Sequence, residues 1–250
     1  MGAPGRQLRR LLRSAHQRWP RSFVWPMLLG GSYMRLALSA PRESEARRRY
    51  AAEAFRWQER EDASWPRDDS AFDEYLHLRR LALMADMAFE SGHLERAMTC
   101  ASEALRIPEV AARIRFTRES DLRSSMSGDR AVHDGHIILG RIALARGDPD
   151  EAARRLQLAG QAASSSDGAM ATLGPDLSLA QDLLESGRIS EVVGFLLACR
   201  GAWILGRRDI DGWVRAIRAG TIPRLEIRRF PSLRSQIELL ATMRRPTRPT

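Results

Sequence analysis

The chain of 250 residues contains no lysine and no asparagine, and its 40 basic side chains are all arginine. Without lysine the protein cannot form a Schiff base, use a lysine-activated nucleophile, or contain the GK[ST] end of a phosphate-binding loop. Chemistry alone therefore excludes several large classes of enzyme. Because lysine and asparagine share AT-rich codons, the same absence is also typical of a GC-rich bacterial genome.

Cysteine is scarce, and long apolar runs are absent. Cys100 and Cys199 are far apart, so they offer neither a disulfide framework nor a CxxC metal pair. Each lies in an apolar helical pattern, which favours two small core residues, a reducing compartment and a cytoplasmic location. The run from 22 to 34 is interrupted by Pro26 and is too short to span a bilayer. We therefore predict neither a membrane span nor export.

The net charge of +9 is distributed unevenly. Residues 1–50 have a balance of +9 and residues 224–250 of +5, whereas the middle of the chain is at −5. Basic ends can contact phosphates or an anionic membrane surface, but solvated segments of an arginine-rich protein have the same composition. We interpret 1–42 as a basic N-terminal arm, 43–223 as a helical-repeat domain and 224–250 as a basic, partly disordered C-terminal tail.

Several local patterns predict where helices begin and end. An apolar stripe with helical spacing runs from Glu43 to a stop at Ser64, with the arginines at 47–49 on the side predicted to face solvent. Ser70 and Asp148 each precede an acidic residue by three positions, which is typical of a helix N-cap. Two further helices are predicted to begin at Gly174-Pro175 and at Ser190-Glu191.

A self-similar pattern occurs in three segments, Leu81–Pro108, His136–Gly160 and Asp176–Cys199. In each, a small residue precedes a glycine by seven positions, and small or apolar residues follow the glycine after five, nine and twelve positions. Small residues at facing positions let two antiparallel helices approach closely, and glycine adopts the left-handed conformation that ends a helix. The pattern therefore predicts three helical hairpins, with bends at Gly92, Gly147 and Gly187.

This spacing resembles the tetratricopeptide repeat. The run from His136 to Arg141, together with Gly174-Pro175-Asp176, is similar to a run in bacterial proteins of this repeat type. The resemblance implies an all-α solenoid with a curved surface. The bend glycines are 55 and 40 residues apart, whereas regular arrays repeat at about 34, so we expect an irregular stack. The segment from Arg208 to Ala219 is predicted to be a capping helix.

A curved stack of helical hairpins predicts protein–protein or peptide binding on its inner face. The first helix of each hairpin lines that face, and we expect its polar residues to contact the partner. They are Asp86, Glu90, Arg141 and Gln181.

Two other functions stay open. One is an enzyme of bacterial specialised metabolism, because His133, Asp134 and His136 place two imidazoles one helical turn apart with an acid between them, an arrangement suited to acid–base chemistry. A zinc site needs a third ligand, and the sequence offers none beyond the distant His77 or His93, so we predict neither a metal site nor a cofactor. The basic ends, with tryptophans among the arginines of the first third, are compatible with an accessory of transcription or nucleic-acid handling.

Overall fold

The computed structural model describes residues 3–66, 70–113, 128–164 and 174–225. Throughout these ranges the regular structure is helical, and none of the described residues belongs to a β-strand. The all-α prediction is therefore confirmed. The helices are α1 (Ala3–Arg18), α2 (Val24–Ser39), α3 (Glu45–Ser64), α4 (Ala71–Glu90), α5 (Leu94–Ala104), α6 (Ile107–Arg113), α7 (Asp129–Ala145), α8 (Pro149–Ser164), α9 (Ser178–Glu185), α10 (Ile189–Ala202) and α11 (Arg207–Arg218).

Three helical hairpins bend at the predicted glycines. The pairs α4/α5, α7/α8 and α9/α10 pack against each other, and each pair is joined at a glycine with positive φ. The φ angles are +87° at Gly92, +80° at Gly147 and +85° at Gly187. This left-handed conformation is costly for a residue that carries a Cβ atom, which explains why glycine occupies each bend.

Small buried side chains allow the paired helices to approach each other. The predicted packing positions of the second helices are all buried, among them Ala97, Ala152 and Val192. Helix α7 joins the two halves of the core, because Ile138 packs with the residues of α1–α6 and Ile137 packs with those of α8–α11. The described helices therefore form a continuous series of packed neighbours.

The helix caps agree with the sequence in two places and differ in two others. Ser70 Oγ accepts a hydrogen bond from the Asp73 amide at 3.1 Å, and α8 begins at Pro149, immediately after the predicted cap. Helix α10 begins at Ile189, one residue before the predicted start. Helix α9 begins at Ser178 instead of at 174–175; its N-cap residue is Leu177, and the Asp176 carboxylate just before it accepts from the Ser178 amide at 2.7 Å.

The first and last helices of the described residues correspond to two predicted segments. The predicted N-terminal arm consists of α1 and α2, and α2 packs closely against α3. The predicted capping helix is α11, which is followed by Gly220. Of the predicted tail, residues 226–250 lie outside the described residues. No helix in the described part of the chain has both the length and the apolar character needed to cross a bilayer.

Candidate functional site

Glu90, near the end of α4, binds two buried arginines from neighbouring helices. Arg47 of α3 donates from Nε to Glu90 Oε2 at 2.5 Å and from Nη2 to Oε1 at 3.0 Å. Arg141 of α7 donates from Nη1 to the same Oε1 atom at 2.9 Å. The Glu90 side chain is 6% exposed and each arginine side chain is 10% exposed. One carboxylate therefore joins α3, α4 and α7 in a largely desolvated position.

The same network continues to α9 and to the α2–α3 loop. Arg141 Nε lies 3.3 Å from Asp182 Oδ2, and Arg42 Nη2 lies 2.9 Å from Asp182 Oδ1. Arg42 also donates to the Ser178 carbonyl at 3.3 Å. We call the chain Arg42–Asp182–Arg141–Glu90–Arg47 the ion-pair ladder. It crosslinks segments that are more than a hundred residues apart in sequence.

Two carboxyl groups of α4, Glu90 in the ladder and Asp86 beside it, differ in the direction of their pKa shifts. Burial raises the pKa of Glu90, but the hydrogen bonds from Arg47 and the charge of Arg141 outweigh it, and the pKa lies below its ordinary value. Asp86, one turn earlier on α4, has no such bonds. Burial and the repulsion of Asp176 and Glu90 raise the pKa of Asp86 to about 7. Glu90 is thus charged at neutral pH, whereas Asp86 changes its charge near neutrality.

Two adjoining cavities of about 790 and 590 Å³ lie beside the ladder. Both are lined by Pro41, Arg42, Gln181 and Arg224, so we describe them together as the groove. Its walls come from the α2–α3 loop, from α9 and from the residues that follow α11. These three segments bring charged, amide and apolar side chains to one surface.

One wall of the groove is a non-helical segment of the chain itself. Residues 221–225, here called the strap, have no helical structure and lie against α9. The Leu225 amide donates to Gln181 Oε1 at 2.7 Å, and Gln181 Nε2 donates to Glu185 Oε1 at 2.7 Å. The Leu225 side chain is buried in the second half of the core. The Gln181 side chain therefore holds a backbone amide of a non-helical segment.

The four residues predicted to contact a partner occupy two different settings. Glu90 and Arg141 are bonded to each other within the ladder, with Asp86 beside them. Gln181 instead lines the groove and holds the strap. Their role in partner binding stays a prediction.

Sequence reasoning missed three ladder residues, Arg42, Arg47 and Asp182. The prediction that all three arginines at 47–49 face solvent is wrong for Arg47, which is buried. A signal was present, since Arg47 lies four and seven residues before the buried Ala51 and Ala54 and so shares their face of α3. No comparable signal marked Arg42 or Asp182, because their partners are distant in sequence.

The members of the predicted histidine cluster, His133, Asp134 and His136, each have separate hydrogen-bond partners. His133 is completely buried; its Nδ1 atom lies 2.9 Å from the Ala159 carbonyl, and its Nε2 atom accepts from the Asp176 amide at 2.9 Å. Burial lowers the pKa of His133, which fits a neutral ring that donates from Nδ1. Both ring nitrogens thus bind backbone.

The other two residues of the cluster have their own partners. Asp134 accepts two hydrogen bonds from Arg130, at 2.9 and 2.8 Å. Burial and the charges of Arg155 and Arg154 lower the pKa of His136 to about 4. Within the described residues, no group of three or more histidine, cysteine or acidic side chains could hold a metal ion.

Comparison of the chain with protein-family models, with curated proteins and with solved structures finds no match. The functional argument therefore depends on the ladder, the groove and the strap.

Proposed function

We propose that this protein binds an extended peptide segment of a partner protein in the groove. The observation that carries the proposal is the hydrogen bond from the Leu225 amide to Gln181 Oε1, at 2.7 Å. A side-chain amide that holds a backbone N–H, next to a buried site for an apolar side chain, is the chemistry needed to bind an extended chain of another molecule. We infer that the ligand takes the place of the strap and fills the Leu225 site with its own apolar residue.

The interpretation of the fold as tetratricopeptide-like supports the same proposal. In a curved stack of hairpins, the first helices line the inner face, and α4, α7 and α9 are the first helices of the three hairpins. The ladder crosses these helices, which fits a preformed binding surface. Because preorganised sites lose little entropy on binding, such a surface is suited to short linear segments.

The test uses the strap sequence as its first probe. A fluorescent peptide with the sequence of residues 219–226 is titrated into the full chain, and binding is followed by anisotropy. We expect tighter binding to a Leu225→Gly variant, because its own strap competes less well. Peptides selected from a random library against the same variant then define the preferred residue at the Leu225 site.

The matched variants are Gln181→Met and Gln157→Met. Both substitutions are made in the Leu225→Gly background, where the strap competes less; there Gln181→Met keeps the side-chain length and removes the acceptor, so affinity should fall by about three- to tenfold, as for one hydrogen bond. Gln157 is an exposed glutamine on α8, and its substitution should leave affinity unchanged. Equal binding by the two variants, or no peptide binding even after Leu225→Gly, would contradict the proposal.

A further inference from the structure

The N-terminal part of the chain combines an excess of positive charge with exposed apolar side chains, although Arg13 lies 3.9 Å from Glu53 and Arg42 pairs with Asp182. Residues 1–42 contain eight arginines and no acidic residue. They also contain six of the thirteen large apolar side chains that are exposed among the described residues. We define the basic N-terminal surface by these six side chains and by the exposed arginines of α1, α2 and their linker. Its members are Leu8, Leu11, Trp19, Met27, Leu28, Leu38, Arg10, Arg13, Arg18, Arg21 and Arg35.

Helix α1 packs on the body of the protein through the buried Leu12, but two of its other leucines stay exposed. It turns Arg9 and Arg13 towards the Tyr33 ring, with guanidinium-to-centroid distances of 5.6 and 5.8 Å, and Arg13 Nη2 donates to the Tyr33 hydroxyl at 2.6 Å. Leu8 and Leu11 meanwhile remain 49% and 62% exposed. A surface helix ordinarily buries its leucines and exposes its arginines. The side chains of Leu8 and Leu11 are therefore free to contact an apolar partner.

Charge and apolarity together select one class of partner. A second copy of this surface is disfavoured, because two arginine-rich segments without a single acid would repel each other. A nucleic acid would neutralise the arginines, but it would leave the leucines in water. An anionic bilayer satisfies both groups, since arginines bind lipid phosphates while leucines enter the boundary between headgroups and acyl chains.

We propose that the basic N-terminal surface binds an anionic lipid bilayer. Helix α1 lies in the plane of the bilayer, Leu8 and Leu11 insert beneath the headgroups, and Arg10 and Arg18 contact lipid phosphates. This mode is peripheral, because the helix rests on the bilayer and does not cross it. Leu38 also lines the groove, but Leu8, Leu11, Arg10 and Arg18 do not, so bilayer binding through these four residues stands independently of peptide binding.

Flotation of the full chain with lipid vesicles tests the proposal. One vesicle set is phosphatidylcholine alone, and the other contains roughly one third phosphatidylglycerol, which supplies the negative surface potential. We expect binding to the anionic set only, with strong weakening when salt is raised from about 0.1 M to about 0.5 M.

The first pair of variants tests insertion. Leu8→Ser/Leu11→Ser should weaken vesicle binding by about tenfold or more, because two leucines no longer leave water. Leu83→Ser/Leu197→Ser removes two leucines elsewhere, on α4 and α10, that are 47% and 44% exposed, and should leave binding unchanged. All four positions are exposed, so circular dichroism should show the same thermal midpoint for both variants and for the original protein.

The second pair tests charge. Arg10→Gln/Arg18→Gln should weaken binding by about 25-fold, since each arginine at an anionic surface contributes about a fivefold factor. Arg48→Gln/Arg208→Gln removes the same net charge from exposed positions outside the surface and should have a much smaller effect.

Three results would overturn the proposal. The first is the absence of binding to the anionic vesicles. The second is binding that falls with the arginine variant but not with Leu8→Ser/Leu11→Ser, particularly where a single-stranded oligonucleotide competes, because that pattern indicates a nucleic-acid surface. The third is a dimer in sedimentation that Leu8→Ser/Leu11→Ser dissociates, since the leucines would then bind a second copy.

Discussion

Removal of the Glu90 carboxylate should destabilise the fold far more than removal of an exposed carboxylate. Glu90→Ala leaves the buried Arg47 without its partner and leaves Arg141 with Asp182 alone, at 3.3 Å. Breaking a buried ion pair from one side costs about 3–5 kcal/mol, and the remaining Asp182 contact favours the lower end of that range. For a chain of this size, about 3 kcal/mol corresponds to a fall of roughly 6–12 °C in the thermal midpoint.

The matched control is Glu95→Ala. Glu95 also pairs with an arginine, Arg146, which directly follows α7, at 2.6 Å, but the Glu95 side chain is 78% exposed and that of Arg146 is 46% exposed. Pairs as exposed as this contribute about 0–1 kcal/mol. Urea and thermal unfolding, followed by circular dichroism, measure both variants. Equal midpoints for Glu90→Ala and Glu95→Ala would refute the view that the ladder stabilises the protein.

The pH dependence supplies a second check on the same variant. Because the pKa of Glu90 is lowered in the folded state, its contribution to stability is present above the unfolded-state pKa of about 4.3. That contribution disappears as the pH falls through the lower folded-state value. The stability difference between the original protein and Glu90→Ala should therefore shrink in acid. A constant difference would mean that Glu90 acts through packing and not through its charge.

Three further predictions concern the helical contact, the buried histidine and the carboxylate beside the ladder. Gly140→Ala should lower the free energy of unfolding in urea by about 1–3 kcal/mol, because the new Cβ atom would lie 2.3 Å from a leucine of α9. Gly194→Ala, with open space around it, should raise the same free energy by about 0.5–1 kcal/mol. His133→Phe should lower the free energy of unfolding by about 2–4 kcal/mol, because it leaves two backbone groups unpaired. Because the folded-state pKa of His133 is lowered, the original protein should also lose stability as the pH falls below about 6.5. His133→Phe should lose less stability over the same pH range. Because the folded-state pKa of Asp86 is raised, its cost to stability should grow as the pH rises from about 4 to 7. Asp86→Asn should therefore raise the thermal midpoint at about pH 8 and have little effect near pH 4. An equal effect at the two pH values would contradict the raised pKa of this carboxyl group.

The sequence predicted those parts of the fold that depend on local spacing. Gly92 and Ala97 are five residues apart, and the bend and the buried contact between two helices follow from that interval. The ladder could not be predicted in the same way, because Arg47 and Glu90 are 43 residues apart and their pairing depends on how α3 packs against α4. The strap gave no signal either, since an extended segment without periodicity does not indicate which helix it will contact.

The two proposed surfaces should respond in opposite ways to salt, and the reason lies in how each uses its arginines. In the groove, Arg42 and Arg141 are already paired with Asp182, so they have little uncompensated charge to offer a ligand. A peptide held through Gln181 and an apolar side chain should therefore bind with an affinity that salt hardly changes. Arg10 and Arg18 of the basic N-terminal surface are instead exposed, and binding through them must release counterions and weaken with salt. Salt titration of peptide binding and of vesicle binding on one preparation would thus separate the two activities without any mutation. If peptide affinity fell steeply with salt, the ligand of the groove would replace the ladder carboxylates instead of the strap.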